Sequence, residues 1–146
     1  MPSSQLILNP DEATQRAIVQ GLHAHNASHI GEDIYTHDAT LAIAARNDSG
    51  DIIGGVIGEV HWDWLHVHML YLDAAFRGRG IGSRLLCELE TEAKERGMIG
   101  SHVETASFQA RGFYEKQGYA VFGTIENRPI GHVWYYMSKQ WAEPAG

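Results

Sequence analysis

Three glycines alternate with other residues immediately before a helical pattern begins. They belong to the segment Arg77-Gly78-Arg79-Gly80-Ile81-Gly82-Ser83. Because glycine has no Cβ, such a segment can turn sharply and bring its N–H groups close to a ligand. The first N–H groups of the following helix lack partners within that helix, and the helix dipole places positive charge at the same point. The segment therefore predicts an anion site, most naturally for a phosphate or pyrophosphate.

Three kinds of phosphate loop contain glycines at comparable spacing. A nucleotide P-loop requires a lysine after its last glycine, and the first lysine of this chain is Lys94. A Rossmann loop follows the first strand and has a third glycine at the position where this sequence has Ser83. The remaining pattern is Arg-x-x-Gly-x-Gly, from Arg77 to Gly82. It resembles the acetyl-CoA pyrophosphate loop of GNAT-type N-acetyltransferases.

The resemblance implies that this segment and the strand before it bind acetyl-CoA. Backbone N–H groups of the loop would surround the pyrophosphate, and its two arginines would add positive charge. The implied positions in the loop are Arg77, Gly78, Arg79, Gly80, Ile81, Gly82 and Ser83. In this family the preceding strand splays at a bulge, and its main chain pairs with the pantetheine arm. The matching positions in that strand are Leu70, Tyr71 and Leu72.

The stretch from Ser107 to Tyr114 resembles the second cofactor motif of the same family, Asn-x-x-Ala-x-x-Phe/Leu-Tyr. Ser107 stands where the family usually has asparagine, and it is predicted to cap the next helix. Tyr114 takes the position of the family tyrosine whose hydroxyl approaches the cofactor sulfur. A phenol with a pKa of about 10 can donate a proton to a departing thiolate. The resemblance therefore implies that Tyr114 is catalytic, with a tyrosine packed on the core as the alternative.

Histidines cluster in the strand that leads into the glycine loop. His66 and His68 are two residues apart, so a strand without a bulge would place them on one face together with Leu70. Some members of the family have a catalytic glutamate at the position of His66, and imidazole suits the same task of deprotonating an amine. His66 is therefore the predicted base. Glu104, Glu59 or a chain of water molecules are the alternatives.

A metal site is a competing interpretation of these histidines. His66 and His68, together with His61 or Asp63, have a spacing that is known in metal-binding strands. Imidazole binds zinc, iron and nickel. Metal-binding barrels of the cupin kind are entirely β, whereas two helices are predicted after His68. We therefore predict acetyl-CoA as co-substrate and no metal.

The predicted reaction is transfer of the acetyl group from acetyl-CoA to a primary amine of a small molecule or peptide. Cys87 is the single cysteine, and it is predicted to lie on the packing surface of a helix rather than to act as a nucleophile. Direct attack of the amine on the thioester is therefore predicted, without an acyl-enzyme. A non-catalytic acyl-CoA sensor of the same fold is the alternative function.

Composition narrows the class of protein further. A chain of 146 residues suits one acetyltransferase domain over residues 1–146, and a net charge of −7 argues against a nucleic-acid binder. No signal peptide or apolar run of about 20 residues is present, which predicts a cytoplasmic protein without membrane contact. Large aromatic residues near turns and the C-terminus predict a homodimer. These are Trp62, Trp64, Tyr135, Tyr136 and Trp141.

The elements that must position these residues follow the order β-α-(α)-β-β-β-α-β-α-β-β. This order predicts an α/β fold of the α+β kind, with a mixed, mostly antiparallel sheet of six or seven strands flanked by helices. It matches the GNAT order. The predicted strands are Gln5–Leu8, Thr40–Ala45, Ile52–Val60, Leu65–Leu72, Ser101–Thr105, Tyr119–Thr124 and Val133–Met137.

Three helices are predicted from apolar periodicity and capping residues. The first begins at Asp11 and buries Ala13, Ala17, Ile18 and Leu22, and an irregular loop follows from His23 to His37. The second runs from the glycine loop to about Arg96, with Glu90–Lys94 and Glu92–Arg96 as exposed ion pairs. The third is Phe108–Gln117.

Overall fold

The computed structural model describes residues 1–144, which fall into two compact units, residues 1–36 and the chain from His37 onward. The first unit consists mainly of helix α1, Glu12–Ile30, and a 3₁₀ turn at Asp33–His37 follows it. The Asp11 carboxylate accepts a hydrogen bond of 2.8 Å from the N–H of Thr14, which confirms the predicted N-cap. Among the described residues, no helix is both long and apolar enough to span a membrane.

Three predictions for the first unit are wrong. Residues 5–8 form no strand, α1 continues through the predicted loop to Ile30, and none of its residues is buried. Ile18 and Leu22, which were expected on a buried face, are exposed. The helix is specified by its cap and by ordinary helical propensity rather than by an apolar face, so apolar periodicity underestimated its length.

The second unit contains a six-stranded sheet with two helices. Its elements are β1 (Ala39–Arg46), β2 (Ile52–His61), β3 (Trp64–Leu72), α2 (Ile81–Glu95), β4 (Gly100–Ala106), α3 (Arg111–Lys116), β5 (Ala120–Glu126) and β6 (Val133–Gln140). The strand order is β1-β2-β3-β4-β6-β5. All neighbouring strands are antiparallel except β3 and β4. The predicted mixed, mostly antiparallel α+β sheet is confirmed, with six strands.

The parallel pairing of β3 with β4 is short. It begins at Trp64 opposite Gly100 and ends at Val67 opposite Val103, although β3 continues to Leu72. Beyond this point β4 continues its pairing with β6 and β3 continues its pairing with β2. The two strands therefore separate, and the edge of β3 that faced β4 has no β4 partner near the glycine loop.

A bulge in β3 changes which side chains share a face. Ile57 of β2 is opposite Met69, but the next residue, Gly58, is opposite Val67, so His68 is the extra residue of β3. Leu70 consequently packs against the core, while His66 lies on the opposite face. The condition under which His66, His68 and Leu70 would share a face, a strand without a bulge, is therefore not met. A Cβ on Gly58 would lie 2.9 Å from the carbonyl oxygen of His66, which explains the glycine at the bulge.

The core lies between α2 and one face of the sheet. α2 packs on β1, β2 and β3. The apolar residues whose periodicity predicted this helix, Leu85, Leu86, Leu89 and Ala93, are buried. The buried side chains of the core include Val56, Val60, Leu65, Val67, Leu85, Leu86, Leu89, Ala93, Val103 and Met137. Burial of this apolar surface is the main force that holds the sheet and α2 together.

Glu90 is a charged residue on the buried face of α2. Its carboxylate lies 2.8 Å from Lys139 Nζ and accepts a hydrogen bond of 2.8 Å from the hydroxyl of Tyr119. That hydroxyl also lies 2.8 Å from Ser101 Oγ, which can donate to it. The predicted Glu90–Lys94 pair is therefore wrong, because Glu90 turns inward to Lys139 on β6 and to Tyr119 in the turn before β5. The predicted Glu92–Arg96 pair is confirmed at 3.0 Å.

Most of the aromatic residues behind the predicted dimer pack within the second unit. The indole Nε1 of Trp141 donates a hydrogen bond of 2.7 Å to the carbonyl of Met98, and Lys94 Nζ lies 5.0 Å from its ring centroid. The Trp64 ring occupies the space where a side chain on Gly100 would lie. Trp62 is 43% exposed. Because these contacts are intramolecular, they give no added support to a homodimer, which stays a prediction.

The buried Glu90 network yields a test of stability. We expect Glu90→Ala to lower the free energy of unfolding by about 3 kcal/mol, because it removes the buried carboxylate that is paired with the ammonium of Lys139 and accepts from the hydroxyl of Tyr119. Urea unfolding followed by circular dichroism measures the change. Glu92→Ala is the control: it removes the exposed pair with Arg96 and should cost roughly 0–1 kcal/mol. Equal losses in the two variants would contradict a structural role for the buried network.

Candidate active site

A cavity of about 490 Å³ opens where β3 separates from β4 and the glycine loop enters α2. This volume is within the usual range of small-molecule sites, about 300–1,000 Å³. The cavity is lined by Leu70, Tyr71, Leu72, Arg77, Gly78, Gly80, Ile81, Gly82, Ser83, Gln109, Ala110, Phe113 and Gln117. Nine of these residues are among the cofactor positions predicted from the sequence, so the structure brings the two predicted segments to one space.

Glycine is required twice in the loop for backbone reasons. Gly78 and Gly80 have φ angles of 79° and 76°, in the left-handed region that other residues rarely adopt. Gly80 is the residue that precedes the first turn of α2. The helix therefore starts with N–H groups of Ile81, Gly82 and Ser83 that lack acceptors within the helix, beside the cavity. This arrangement can bind an anion through backbone donors and the helix dipole.

Gly82 is a glycine for a different reason. Its φ is not positive, so an alanine there would be tolerated by the backbone. A Cβ on Gly82 would lie 3.7 Å from both Leu70 Cδ2 and Phe113 Cε2, in ordinary contact with two residues of the cavity wall. The missing side chain therefore keeps space open at the start of α2.

The two loop arginines have different positions. Arg77 lines the cavity, donates a hydrogen bond of 2.8 Å from Nε to the carbonyl of Leu72, and lies 5.8 Å from the ring centroid of Tyr71. The bond uses Nε and leaves the two terminal nitrogens as further donors. Arg79 does not line the cavity, and its guanidinium lies 5.5 Å from the ring centroid of Phe76. Of the two, Arg77 is placed to add positive charge to the anion site.

The predicted cap role of Ser107 is wrong. α3 begins at Arg111, and the residue before it is Ala110 rather than Ser107. Ser107 instead joins the end of β4 to β6: its Oγ accepts a hydrogen bond of 3.1 Å from the N–H of Val133, and its N–H donates to the Val133 carbonyl at 2.7 Å. The Ala110 N–H is satisfied by Thr105 Oγ1 at 3.1 Å. Ser107 does not line the cavity.

Four cavity residues were not identified from the sequence. They are Gln109, Ala110, Phe113 and Gln117. Ala110 and Phe113 are positions of the second cofactor motif, so the motif was the signal that could have identified them. Gln109 lies in the turn before α3 and Gln117 directly after its last residue, and their place in the cavity wall depends on where α3 packs.

Tyr114 is buried, with 5% of its surface exposed, and does not line the cavity. Its ring contacts Phe113 and Tyr119, with centroid separations of 5.1 Å and 5.6 Å. Burial raises the pKa of the Tyr114 hydroxyl to about 12, because the charged phenolate would be poorly solvated. The residue therefore belongs to the core, as the alternative interpretation expected, and it holds its proton at neutral pH.

The side chains predicted as bases meet on the sheet face opposite α2. His66 Nε2 lies 2.6 Å from Glu104 Oε2, and these side chains are 29% and 26% exposed. Glu59 is directed to His68 instead, with 3.8 Å between its Oε2 and His68 Nε2. Two of the alternatives left open by the sequence are thus one hydrogen-bonded pair. His61 belonged to the competing interpretation of these histidines as a metal site. Its Nδ1 is 2.8 Å from Asp38, and its ring stacks on Trp62.

His102 was not identified from the sequence, yet it contacts this pair. Its ring is parallel to that of His66, with an interplanar angle of 4° and centroids 4.4 Å apart. Burial, and then the nearby His66, lowers the pKa of His102, which favours its neutral form. Alternation places His102 and Glu104 on one face of β4. Their contact with His66 could be inferred only once β3 and β4 were known to be neighbours.

Cys87 does not lie where the sequence predicted. It is exposed, on the solvent side of α2, and not on the packing surface. The buried positions Leu85, Leu86, Leu89 and Glu90 define the opposite side of the helix, and Cys87 falls outside this arc. It is also absent from the cavity wall. Although Cys87 is exposed, its thiol does not face the cavity.

Comparisons with known proteins agree with the loop, the cavity and the sheet. The sequence profile of the acetyltransferase (GNAT) family matches residues 11–119. Blasticidin-S acetyltransferase of Streptomyces morookaense is 44% identical over 100 residues, which cover 68% of this chain and 74% of the relative. The crystal structure of an acetyltransferase from Bacillus cereus has a TM-score of 0.84 at 32% identity, over 93% of this chain and 97% of the other.

A more distant structure resembles the chain in fold alone. It is an aminoglycoside 6'-N-acetyltransferase complexed with coenzyme A, with a TM-score of 0.64 at 20% identity over 83% of each chain. The family predicted from the glycine loop is confirmed by the profile match and by the two more similar proteins. The chain is an acyltransferase and belongs to the GNAT acetyltransferase family.

Proposed function

We propose that this enzyme transfers the acetyl group of acetyl-CoA to a primary amine of a small molecule. The observation that carries the proposal is the cavity at the start of α2, where unpaired helix N–H groups meet the strand that separates from β4. The pyrophosphate of the cofactor would bind the N–H groups of Ile81, Gly82 and Ser83, with Arg77 beside them.

The separated part of β3 supplies the second half of the cofactor site. From Leu70 to Leu72 the strand has β2 on one side and no β4 partner on the other. Its main-chain groups on that side can pair with the amides of the pantetheine arm, as an added strand would. The thioester would then lie between β3 and β4, toward the last paired residues, Val67 and Val103.

The first test of this proposal concerns Gly82. We expect Gly82→Val to weaken acetyl-CoA and CoA binding by at least about 10-fold, equivalent to ~1.4 kcal/mol, because the new methyl groups enter the cavity. Calorimetric titration measures the affinity. The variant should stay folded because the φ of Gly82 is not restricted. Gly112→Val, at a helical glycine with open space around its Cβ position, is the matched control. Wild-type affinity in folded Gly82→Val would refute the assignment.

We propose His66 and Glu104 as the groups that remove a proton from the amine. With Nε2–H donated to Glu104 Oε2, the Nδ1 atom of His66 is the available acceptor. The carboxylate would fix the orientation of the ring and stabilise the imidazolium that forms when the amine attacks the thioester carbonyl. No acyl-enzyme is required, because the exposed Cys87 lies outside the cavity wall.

We propose Tyr114 as the group that donates a proton to the departing thiolate. Because burial raises its pKa to about 12, it remains protonated at every pH at which the enzyme is assayed. A proton donor of this kind contributes typically about 10²–10⁴-fold to the rate. Because Tyr114 is buried in the core and does not line the cavity, this role requires its hydroxyl to move toward the thioester.

Proton transfer is tested by paired substitutions. We expect Tyr114→Phe to lower kcat by roughly 10²-fold and to leave acetyl-CoA affinity nearly unchanged. Because the raised pKa keeps the phenol protonated, wild-type kcat should show no alkaline fall from this group between about pH 7 and pH 10. Steady-state kinetics and acetyl-CoA titration provide both quantities. Unaltered kcat in Tyr114→Phe would exclude the proton-donor role.

The same assay tests the proposed base. His66→Gln and Glu104→Gln should each lower kcat/KM by about 10²-fold, and the double variant should lose little more, because the two residues act as a unit. His68→Gln is the control, since His68 is directed to Glu59. If both single variants retain wild-type kcat/KM, a chain of water molecules must carry the proton.

The acceptor is tested directly with a panel of amines. The relative from Streptomyces morookaense is named for blasticidin S, so we propose a small-molecule amine as the acceptor class. Release of CoA and mass of the product would be measured for blasticidin S, aminoglycosides, polyamines and a peptide N-terminus. We expect turnover with at least one small molecule, and equal turnover in Cys87→Ala. Acetyl-CoA binding without turnover of any amine would favour a sensor, and acetylated Cys87 would exclude direct attack.

A further inference from the structure

We infer that His66, His102 and Glu104 form a transition-metal site on the sheet face opposite α2. Each residue offers one ligand atom, and these three atoms lie within 4.8 Å of one another. The set differs from the strand motif His66-x-His68, because two of its three ligands come from β4. We infer a regulatory site whose occupied form is inactive, rather than a cofactor site.

The backbone fixes the three ligands on neighbouring strands. His66 of β3 and His102 of β4 are direct partners in the parallel register, and Glu104 is two residues further along β4. Register partners and alternate residues share one face of a sheet, so all three side chains project from the same side. Zinc bonds of about 2.0–2.1 Å in a tetrahedron require ligand atoms roughly 3.3 Å apart. To bind one ion, the His66 and His102 rings must rotate out of their parallel stack so that their nitrogen lone pairs converge.

The donor set selects the class of metal. Two imidazole nitrogens and one carboxylate oxygen suit Zn²⁺, Co²⁺ and Ni²⁺, whereas Mg²⁺ and Ca²⁺ prefer oxygen ligands. Three protein ligands of this kind leave a fourth position for water in tetrahedral zinc sites. His66 Nε2 and Glu104 Oε2 are joined by a hydrogen bond of 2.6 Å. The metal would take the place of the proton in this bond, which passes to solvent.

Neighbouring groups support the site without joining it. The His68 ring lies 4.5 Å from the His66 ring, but the bulge in β3 directs His68 to Glu59, 3.8 Å away. His66 and Glu104 are about three-quarters buried, so the side chains are held in place yet can be reached from solvent. The chain's net charge of −7 favours the approach of a cation.

Metal binding would prevent acetyl transfer, and this consequence rests on the proposed function. The metal uses the histidine and carboxylate groups that would accept and stabilise the proton of the amine. Acetyl-CoA binding should persist, because the cavity wall shares no residue with the metal ligands. The expected effect is inhibition by micromolar zinc that a chelator reverses.

Metal binding is tested without reference to activity. The full chain, treated with chelator and then freed of it, is titrated with Zn²⁺ by calorimetry and with Co²⁺ by visible absorption. We expect one strong equivalent per chain and the intense visible bands of four-coordinate Co²⁺. His102→Phe, which preserves a stacked ring, and Glu104→Gln should each weaken binding by at least about 100-fold, beyond the ~10–100-fold cost of losing a supporting partner.

Two control variants separate this site from other histidine groups. His25 and His29 lie one turn apart on α1, with ring centroids separated by 4.9 Å, and could bind metal at the surface. His29→Gln and His68→Gln should retain the strong equivalent. The inference is overturned if the wild-type protein binds no strong equivalent, if His102→Phe keeps wild-type affinity, or if either control variant loses it.

The activity measurement then tests the regulatory role. Zinc inhibition is recorded for the wild type and His102→Phe, each relative to its own rate without metal, while acetyl-CoA affinity is measured with and without zinc. We expect at least about 100-fold more zinc to be needed for half inhibition of His102→Phe, with cofactor affinity unchanged. A bound metal that leaves transfer unaffected overturns the regulatory role. A protein that binds metal but acetylates no amine contradicts the proposed function and leaves the metal site standing.

Discussion

Parallel hydrogen bonding between β3 and β4 extends over only four residue pairs, and both parts of the candidate site depend on where it stops. While the strands are paired, His66 is held beside His102, and their rings stack. After Val67 and Val103 the strands separate, and the main chain of β3 becomes available on one side next to the glycine loop. A single interruption of the sheet thus produces a packed group of polar side chains and, beyond it, an open cavity. The cavity wall and the polar group share no residue.

The two faces of the sheet differ in how firmly their polar groups are held. On the face covered by α2, Glu90, Tyr119 and Lys139 bond to one another in an apolar surrounding, where loss of a partner is costly. On the opposite face, His66 and Glu104 are partly accessible to water. Strand alternation therefore separates a buried polar network inside the core from a polar pair that water can reach.

The features that could be predicted from the sequence are those that depend on residues close together in the chain. The glycine loop was identified because a left-handed backbone at Gly78 and Gly80 and the start of α2 leave a direct mark on residue choice. The six strands of the sheet and the apolar face of α2 followed from periodicity for the same reason, whereas the strand predicted at residues 5–8 does not form. The inward turn of Glu90 and the stacking of His102 on His66 depend on elements distant in sequence, so no local pattern reveals them. The family resemblance implied a bulge in the strand before the loop, but its position at His68 was undetermined, because register is a property of two strands together.

The contacts of Trp141 set a limit on how the chain can be shortened or fused. The indole lies just after β6, yet its Nε1 bonds to the Met98 carbonyl and its ring lies against Lys94, near the end of α2. The N–H of Trp141 also bonds to the Ile99 carbonyl at 2.9 Å. The contacts of the folded unit thus extend past the last strand to Trp141 and Ala142, whose N–H groups both bond to Ile99. A fluorescent domain or affinity tag attached after Ala142 keeps the contacts of the indole. A chain that ends at Gln140 lacks the indole, and the turn between α2 and β4 becomes exposed. The same indole is a natural fluorophore at that turn, and in a variant that lacks the other three tryptophans its emission would report whether these C-terminal contacts are formed.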